Sequence, residues 1–342
     1  MSTYSSAASH YLSARRRDPV KVLMEEVVTR RQFGHAVSGL RLPPGAPLRV
    51  LDIGCGTADG LRLLRHAADG ESPVTAGLAL DYVGLDADAA MVETARSLYP
   101  EPGVRFVEGD ARAALPDKDF DLYLSCGVPY SHLTTDETTD VLTAILRRAA
   151  TRTRPSAVVV DVLGRYSVEW TPQWHLSRWN YAMTFFEDVD EQVEEMMTCY
   201  DRDSLGAVVE QAAARAGAGD LRTTFFDRSV LLGRHTATRT FNPAIPPYRT
   251  LVNDLYRGQA ASRDELRFTP PAEGAPAPIL EFFQDWAREW NSIVDEAFGT
   301  GDTLGSAEEA KALATTLLDF ERRPRAGLGV GHSLTAVIVV EP

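Results

Sequence analysis

The sequence predicts an α/β fold with a mostly parallel sheet, and three features carry this prediction. Short apolar runs recur along the first half of the chain, and a stretch with helical spacing follows most of them. The first run, residues 48–53, ends in a glycine-rich turn. The last run, residues 333–340, comes after a long segment with helical patterns. Strands that alternate with helices are typical of a parallel sheet that helices cover on both faces.

The glycine-rich turn, residues 52–60, indicates what kind of ligand the sheet binds. Gly54 and Gly56 let the backbone turn sharply and let a ligand approach closely. The glycines follow the spacing G-x-G-x-x-x-G, whereas a dinucleotide fingerprint is G-x-G-x-x-G, and no Gly-Lys-Ser/Thr of a phosphate-binding loop follows. The carboxylate of Asp52 would repel a pyrophosphate. The turn therefore favours a nucleoside cofactor that carries positive charge.

Carboxylates at two later strand ends add to this pattern. Asp86 ends the second apolar run and Asp110 ends the third. With these residues the chain resembles the class I S-adenosylmethionine-dependent methyltransferases, whose first motif reads acidic-x-Gly-x-Gly-x-x-x-Gly. The cofactor of that class carries an ammonium and a sulfonium. The resemblance covers about residues 48–164, and it implies that Asp86 binds the ribose hydroxyls and that Asp110 lies beside the adenine amino group.

The predicted cofactor site combines the glycine turn with the residues at the next three strand ends. Its members are Asp52, Gly54, Cys55, Gly56, Asp86, Ala87, Asp110, Ala111 and Cys126. Each carboxylate by itself is more often a solvated cap or turn residue. Three of them at successive strand ends, after one glycine-rich turn, are a much less frequent accident.

The resemblance also implies the topology of the whole chain. We expect a Rossmann-like, seven-stranded, mostly parallel sheet, with the last strand antiparallel beside the fifth and sixth. Residues 221–235 are expected to form the sixth strand, either as one bent strand or as a hairpin that turns at 227–229. The predicted parts are a helical N-terminal cap, a cofactor-binding core, a segment with the acceptor pocket and sixth strand, a helical insertion and the final strand, over residues 1–46, 47–164, 165–240, 241–328 and 329–342.

Composition limits the partners and the location of the protein. The chain has 342 residues, of which 44% are hydrophobic, and no apolar run reaches the roughly 18 residues of a membrane span. Its three cysteines form no metal pattern and no even disulfide framework, so we expect a reduced, cytoplasmic protein. The formal charge of −13 disfavours a nucleic-acid acceptor. A small-molecule substrate is therefore expected, with a homodimer left open.

An unusually aromatic stretch after the fifth strand is a candidate wall of the acceptor pocket, because it leaves the edge of the sheet where α/β folds bind ligands. Anchoring of a helical cap is the equally weighted alternative. The acidic run at residues 187–195 is expected to be a solvated face without chemistry. The predicted substrate contacts are Tyr130, His132, Arg165, Trp170, Trp174 and Arg239.

Two histidines are candidates for catalysis. A sixth strand that continues to residue 235 would place His235 at its carboxyl end, and His332 starts the antiparallel last strand at the same edge. They are predicted to act as a base and its partner, or to bind a divalent metal such as zinc or iron. His175, Asp161 or Glu169 would complete such a site. The alternative is that each histidine only caps a strand or hydrogen-bonds a loop.

The predicted function is transfer of a methyl group from S-adenosylmethionine to a small metabolite, as in bacterial secondary metabolism and antibiotic biosynthesis. The overall layout also resembles enzymes that methylate the carbon next to the carbonyl of a 2-oxo acid with a metal's assistance. The open alternatives are N- or O-methylation of a natural-product intermediate and a reaction without methyl transfer.

Overall fold

The computed structural model describes residues 17–68, 71–183, 193–233 and 241–342. Its central sheet has the strand order β3-β2-β1-β4-β5-β9-β8. Strands β1 to β5 are parallel to one another, and β9 runs antiparallel between β5 and β8. This confirms the predicted fold class. The strands are Leu48–Ile53 (β1), Leu80–Asp86 (β2), Val104–Glu108 (β3), Leu122–Leu124 (β4), Ser156–Gly164 (β5), Leu221–Arg228 (β8) and Ser333–Val340 (β9).

Helices cover both faces of this sheet. The N-terminal helix opens with a π-helical turn, Lys21–Glu25, and continues as α1. The α-helices are Glu26–Ser38 (α1), Asp59–Arg65 (α2), Ala89–Leu98 (α3), Thr135–Ala150 (α4), Arg202–Ala216 (α5), Tyr248–Tyr256 (α6), Arg263–Leu266 (α7), Ala277–Phe298 (α8) and Ala307–Glu321 (α9). One apolar cluster joins α1, α2 and α3 to the sheet, and another joins α4 and α5 to its opposite face.

Helix α5 shows how local hydrogen bonding decides where a helix begins. The sequence predicts Asp203 or Ser204 as its cap, but the helix is capped by Asp201. The carboxylate of Asp201 accepts a hydrogen bond from the Ser204 amide at 2.8 Å, and the Ser204 hydroxyl accepts one from the Asp201 amide at 3.0 Å. This reciprocal capping satisfies amides that the first helical turn leaves unpaired.

A hairpin outside the predicted seven strands extends the sheet above the carboxyl edge. It consists of Arg178–Met183 (β6) and Val193–Tyr200 (β7). The end of β7 pairs in parallel with the last two residues of β5. The Thr198 hydroxyl donates a hydrogen bond to the Leu133 carbonyl at 2.6 Å, which ties the hairpin to the loop that follows β4. The hairpin therefore stands over the edge where the candidate site lies.

Strand β8 ends at Arg228, so the prediction of a strand or hairpin through residue 235 is wrong over its described part. Ser229 has φ +61°, which turns the chain out of the sheet. The amides of the next residues, Val230 to Leu232, donate hydrogen bonds of 2.7 to 3.1 Å to the buried carboxylate of Glu321 on α9. These amides bind a side chain instead of a neighbouring strand, and that ends the ladder.

The segment between β8 and β9 folds into α6 to α9, which share one apolar core with the N-terminal helix, the end of β5 and the segment that follows β5. The spacing of apolar residues predicts helices over 279–298 and 306–320, and these correspond to α8 and α9. Aromatic rings dominate this core, among them Trp286 and Trp290, whose rings both contact Phe320. None of the helices in the described ranges is both long and apolar enough to cross a membrane.

We expect Glu321→Gln to lower the free energy of unfolding by roughly 2 kcal/mol. The Glu321 carboxylate accepts hydrogen bonds from three backbone amides. In the glutamine variant, the side-chain NH₂ would replace one of the accepting oxygens and would face a backbone N–H, so at least one of these hydrogen bonds would be lost. Urea unfolding followed by circular dichroism measures the change. The exposed Glu296→Gln on α8 is the matched control, and equal effects of the two substitutions would contradict the capping role.

Candidate active site

The glycine turn between β1 and α2 is packed so closely that side chains would not fit at two of its glycines. A Cβ atom on Gly54, which has φ +66°, would lie 2.5 Å from the Cβ of Pro129. A Cβ atom on Gly60 would lie 2.3 Å from a carboxylate oxygen of Asp52. The turn therefore rests directly on β1 and on the loop after β4, and its backbone forms one wall of the cleft.

Asp86 joins this turn to the end of β2. One of its carboxylate oxygens accepts a hydrogen bond from the Gly56 amide at 2.8 Å, and the other accepts one from the Asp88 amide at 2.9 Å. Burial raises the pKa of Asp86, while these two amide donors lower it. Asp110, after β3, forms an ion pair with Arg112 at 2.6 Å, and hydrogen bonds from Arg112 lower its pKa.

Asp52 lies beneath the turn instead of in the cleft. Its side chain is fully buried, and it accepts a hydrogen bond of 2.5 Å from the Tyr82 hydroxyl. Its second oxygen accepts no hydrogen bond from the described part of the chain. Burial, together with the charges of Asp86 and Asp59, raises the pKa of Asp52 to about 7. We therefore correct its predicted role: Asp52 supports the turn from below and does not line the cleft.

A cavity of about 580 Å³ lies along the carboxyl edge of the sheet. Apart from Asp52, it is lined by every residue of the predicted cofactor set, together with Tyr130 and His132 from the predicted substrate set. It continues past the end of β4 to His332 at the start of β9. This one space therefore borders both the predicted cofactor site and one of the predicted catalytic histidines.

The N-terminal helix and the end of β8 supply cavity residues that the sequence prediction missed. Lys21, Glu25 and Thr29 line the cavity from the helix. Arg228 faces them, with one guanidinium nitrogen 3.1 Å from a carboxylate oxygen of Asp161. In the sequence, Lys21, Glu25 and Thr29 recur every four residues beside an apolar stripe, which indicates that they share one face of a helix. Nothing local indicates that this polar face meets the sheet edge.

Asp161 is held among backbone donors and does not line the cavity. It accepts hydrogen bonds from the amides of Gly127 at 2.9 Å and Val128 at 3.3 Å, besides its ion pair with Arg228. These contacts fix the loop after β4, in which Val128 has φ +62°. Its predicted place in a metal site is therefore corrected to that of a carboxylate that shapes the loop.

Two histidines line the cavity, and each contacts a carboxylate. His332 Nδ1 shares a hydrogen bond with Glu169, whose side chain is 1% exposed. His132 Nδ1 lies 2.6 Å from a carboxylate oxygen of Glu195 on β7. Glu195 itself lines the cavity, which corrects the expectation that residues 187–195 form a solvated face without chemistry. That expectation also covers residues 187–192, which lie outside the described ranges.

Other predicted site residues lie away from the cavity. Trp170 and Trp174 are buried, and their indole N–H groups donate to backbone carbonyls, so they belong to the aromatic core and not to the cavity lining. Arg165 is ion-paired with Asp201 at 3.4 Å and lies over the Tyr166 ring. His175 is exposed and does not line the cavity. The aromatic stretch thus anchors the structure behind the cavity.

His235 and Arg239 lie outside the described residues, so their predicted roles stay predictions. The reason for placing His235 at the end of the sixth strand no longer holds, because β8 ends at Arg228. Among the described residues, no group of three histidine, cysteine, aspartate or glutamate side chains is arranged to hold a metal ion.

We expect Asp52→Asn to stabilise the protein at pH 8 but not at pH 4. The folded-state pKa of Asp52, about 7, lies above the ordinary value of 3.8, so the folded protein loses stability as the pH rises between these values. The neutral amide avoids this loss, which amounts to at most about 4 kcal/mol. Urea unfolding at both pH values tests it, with the exposed Asp119→Asn as control. A gain that does not depend on pH would contradict the assignment.

Comparison with known proteins agrees with this geometry. Residues 50–151 match the family of methyltransferase domains. The matched region runs from β1 into the residue after α4, so it contains the glycine turn and the carboxyl ends of β2, β3 and β4. It covers just under a third of the chain. No curated protein sequence matches the chain.

Several solved structures are similar at low identity. A S-adenosylmethionine-dependent methyltransferase from Clostridium acetobutylicum is 14% identical, with 66% of this chain and 91% of that chain covered and a TM-score of 0.42. CalS10, an amino pentose methyltransferase from Micromonospora echinaspora involved in calicheamicin biosynthesis, is 17% identical. The match covers 68% of this chain and 94% of CalS10, with a TM-score of 0.41.

A third similar structure is a chain of the complex between the Haloferax volcanii Trm112 methyltransferase activator and a methyltransferase. It is 15% identical, and the match covers 99% of this chain and 96% of that chain, with a TM-score of 0.42. All three TM-scores are low, so the assignment depends on the domain match and on the site. The match of residues 50–151 to a methyltransferase domain supports the predicted S-adenosylmethionine-dependent enzyme.

Proposed function

We propose that the protein transfers a methyl group from S-adenosylmethionine to a small-molecule acceptor, with both bound in the cavity along the carboxyl edge of the sheet. The single observation that carries the proposal is the continuity of this cavity, which runs from Asp110 past the glycine turn to His332. When bound, the cofactor supplies an activated methyl group on a sulfonium. The protein has to align the acceptor with that group and exclude water.

The residues present fit this cofactor in size and charge. Neighbouring strands lie about 4.8 Å apart, so the ends of β3, β2, β1 and β4 together span about 14 Å. That is enough for an extended nucleoside with an amino-acid tail. Asp86 and Asp110 would hold the adenosine at one end. Carboxylates dominate this wall, which suits a cation.

Of the two cavity histidines, His332 is the better placed base for the acceptor. The charge of His132 acts on Asp86, which places His132 near the proposed ribose position. His332 lies at the opposite side of the cavity, at the start of β9. Its bond to Glu169 and the edge of the Trp170 ring, 5.6 Å away between centroids, fix its orientation. A histidine held by a buried carboxylate is a common arrangement for a general base.

The finer proposal for the acceptor is a 2-oxo acid that is methylated at the carbon next to its carbonyl. His332 would take the proton from that carbon, which then forms the bond to the methyl group as the carbon–sulfur bond breaks and its electron pair passes to sulfur. Arg228 would attract the acceptor's carboxylate, since its guanidinium lines the same cavity. An N- or O-methyl acceptor that loses a proton to His332 is the second candidate.

Several other predictions remain part of this proposal. Assistance by a metal depends on His235 as well as His332, and metal analysis of the purified protein with and without His235→Ala tests it. Secondary metabolism, a cytoplasmic location, the absence of nucleic-acid partners and the division into cap, core, acceptor segment and insertion also stay predictions. A homodimer is left open.

We expect S-adenosylmethionine to raise the thermal midpoint of the unmodified protein and to have little effect on Asp86→Ala. The substitution removes the proposed acceptors for the ribose hydroxyls and the carboxylate that holds the Gly56 amide. The affinity should fall at least about 10-fold. Asp81→Ala, on the same strand but outside the cavity, is the matched control. No shift in the unmodified protein at millimolar cofactor would refute the cofactor assignment.

The base proposal is tested by deuterium exchange. In D₂O the unmodified protein should speed exchange of the proton at the carbon next to the carbonyl of a 2-oxo acid, followed by proton NMR. We expect His332→Ala to slow this exchange by about 100-fold or more. The exposed His175→Ala should not change it. Exchange at the buffer rate, together with methyl label on hydroxyl or amine compounds, would favour the second candidate instead.

A further inference from the structure

The first turn of the N-terminal helix presents paired opposite charges to the cavity. Lys21 and Glu25 both line it, and the Lys21 ammonium lies 3.5 Å from a carboxylate oxygen of Glu25. The five residues from Lys21 to Glu25 are wound as a π-helix. Such turns are rare, and they occur often at functional sites. An ammonium beside a carboxylate is the arrangement that binds a zwitterion, namely the α-amino and α-carboxylate groups of an amino acid.

Glu25 is ionised although it is almost buried. Burial by itself would raise the pKa of Glu25, but the charges of Arg249, Lys21 and Arg228 lower it well below its ordinary value. Its side chain keeps 12% exposure, and that exposed part borders the cavity. A fixed negative charge therefore faces the ligand space at this point.

The position of this pair matches one end of the proposed cofactor. Asp110 and Asp86 would hold the adenosine at the ends of β3 and β2. In the order β3-β2-β1-β4, the remainder of the cofactor must extend over the glycine turn towards the end of β4. Cys126 lies there and lines the cavity, and the amide of the next residue, Gly127, donates a hydrogen bond of 2.9 Å to Asp161, the partner of Arg228, which in turn contacts Thr29 of the helix. The helix pair is thus at the end opposite to the adenosine.

The helical insertion holds Glu25 in place. Arg249, on α6, donates a hydrogen bond of 2.6 Å to Glu25. Its other nitrogens donate to the two carboxylate oxygens of Asp18 at 2.9 and 3.0 Å. The Arg249 side chain is 7% exposed, so the geometry of this planar fork is held by packing. Through this arginine the insertion contacts Glu25, which lines the cavity.

We propose that Lys21 and Glu25 bind the amino-acid end of S-adenosylmethionine, Lys21 its carboxylate and Glu25 its ammonium, and that Arg249 is a positioning residue through which the insertion orients Glu25. This rests on the proposed function. It gives the helical insertion a role in cofactor recognition.

Two ligands that differ only by the amino-acid part test the proposal. S-adenosylhomocysteine carries that part, whereas 5′-methylthioadenosine keeps the adenosine and the sulfur but has a methyl group in its place. We expect Lys21→Gln to weaken binding of S-adenosylhomocysteine about 10-fold or more, by loss of a charge-assisted contact. Binding of 5′-methylthioadenosine should change less than about 2-fold. Isothermal titration calorimetry measures both.

Further variants separate recognition from folding. Arg249→Lys keeps the positive charge but loses the planar guanidinium that contacts Glu25 and Asp18 together. We expect it to weaken binding of S-adenosylhomocysteine and to leave binding of 5′-methylthioadenosine nearly unchanged. The matched control for Arg249→Lys is Arg257→Lys, because Arg257 is an exposed arginine next to the end of α6. The control for Lys21→Gln is Lys118→Gln, because Lys118 is paired with Asp81 outside the cavity. Both controls should leave the two affinities unchanged.

Each contrary outcome has a distinct meaning. Equal weakening of both ligands by Lys21→Gln would assign Lys21 a structural role and overturn the subsite. Unchanged binding of S-adenosylhomocysteine by Lys21→Gln would also overturn it, and would indicate that Lys21 and Glu25 contact the acceptor instead of the cofactor. If the unmodified protein bound neither ligand, the proposed function would fail, and the subsite with it.

Discussion

The close packing of the glycine turn against its three neighbours is the constraint on which the rest of the site depends. The turn passes over the buried Asp52, beside Pro129 and against the carboxylate of Asp86. At Gly54 and Gly60 only backbone fits, so the turn packs directly against Pro129 and Asp52. The position of the cleft relative to β2 and β4 follows from these contacts.

Buried ion pairs connect the cleft to the parts of the chain that lie outside residues 50–151. Glu25 of the N-terminal helix is paired with Arg249 of the insertion, and Arg228 of β8 with Asp161 of β5. A charge removed from water needs its partner, so each of these elements requires the next in order to be stable. The cap and the insertion are thereby integrated with the edge of the sheet that carries the site.

The predictions succeeded where the relevant contacts are close along the chain. The glycine turn and Asp86 were placed correctly beside one another because a strand, a tight turn and a helix form one local unit. Asp52 was expected in the cleft, but it lies under the turn. The residue pattern along β1 does not show that Gly60, at the end of the turn, packs directly against the Asp52 carboxylate. For Trp170 and Trp174 a pocket wall and the anchoring of a cap were equally weighted predictions, and their buried indole groups donate to backbone carbonyls in the core behind the cavity.

The sequence by itself determined the alternation of strands and helices up to β5, the glycine-rich turn and the carboxylates at the strand ends, since hydrophobic spacing and glycine geometry are local properties. Only the tertiary structure decided which distant side chains complete the cavity. Lys21 and Glu25 of the N-terminal helix, Arg228 of β8 and Glu195 of β7 come from three separate elements, and their meeting depends on helix packing and strand pairing across the fold. The sequence also did not show that β8 ends at Arg228, because a carboxylate almost a hundred residues away, on Glu321, captures the amides that follow.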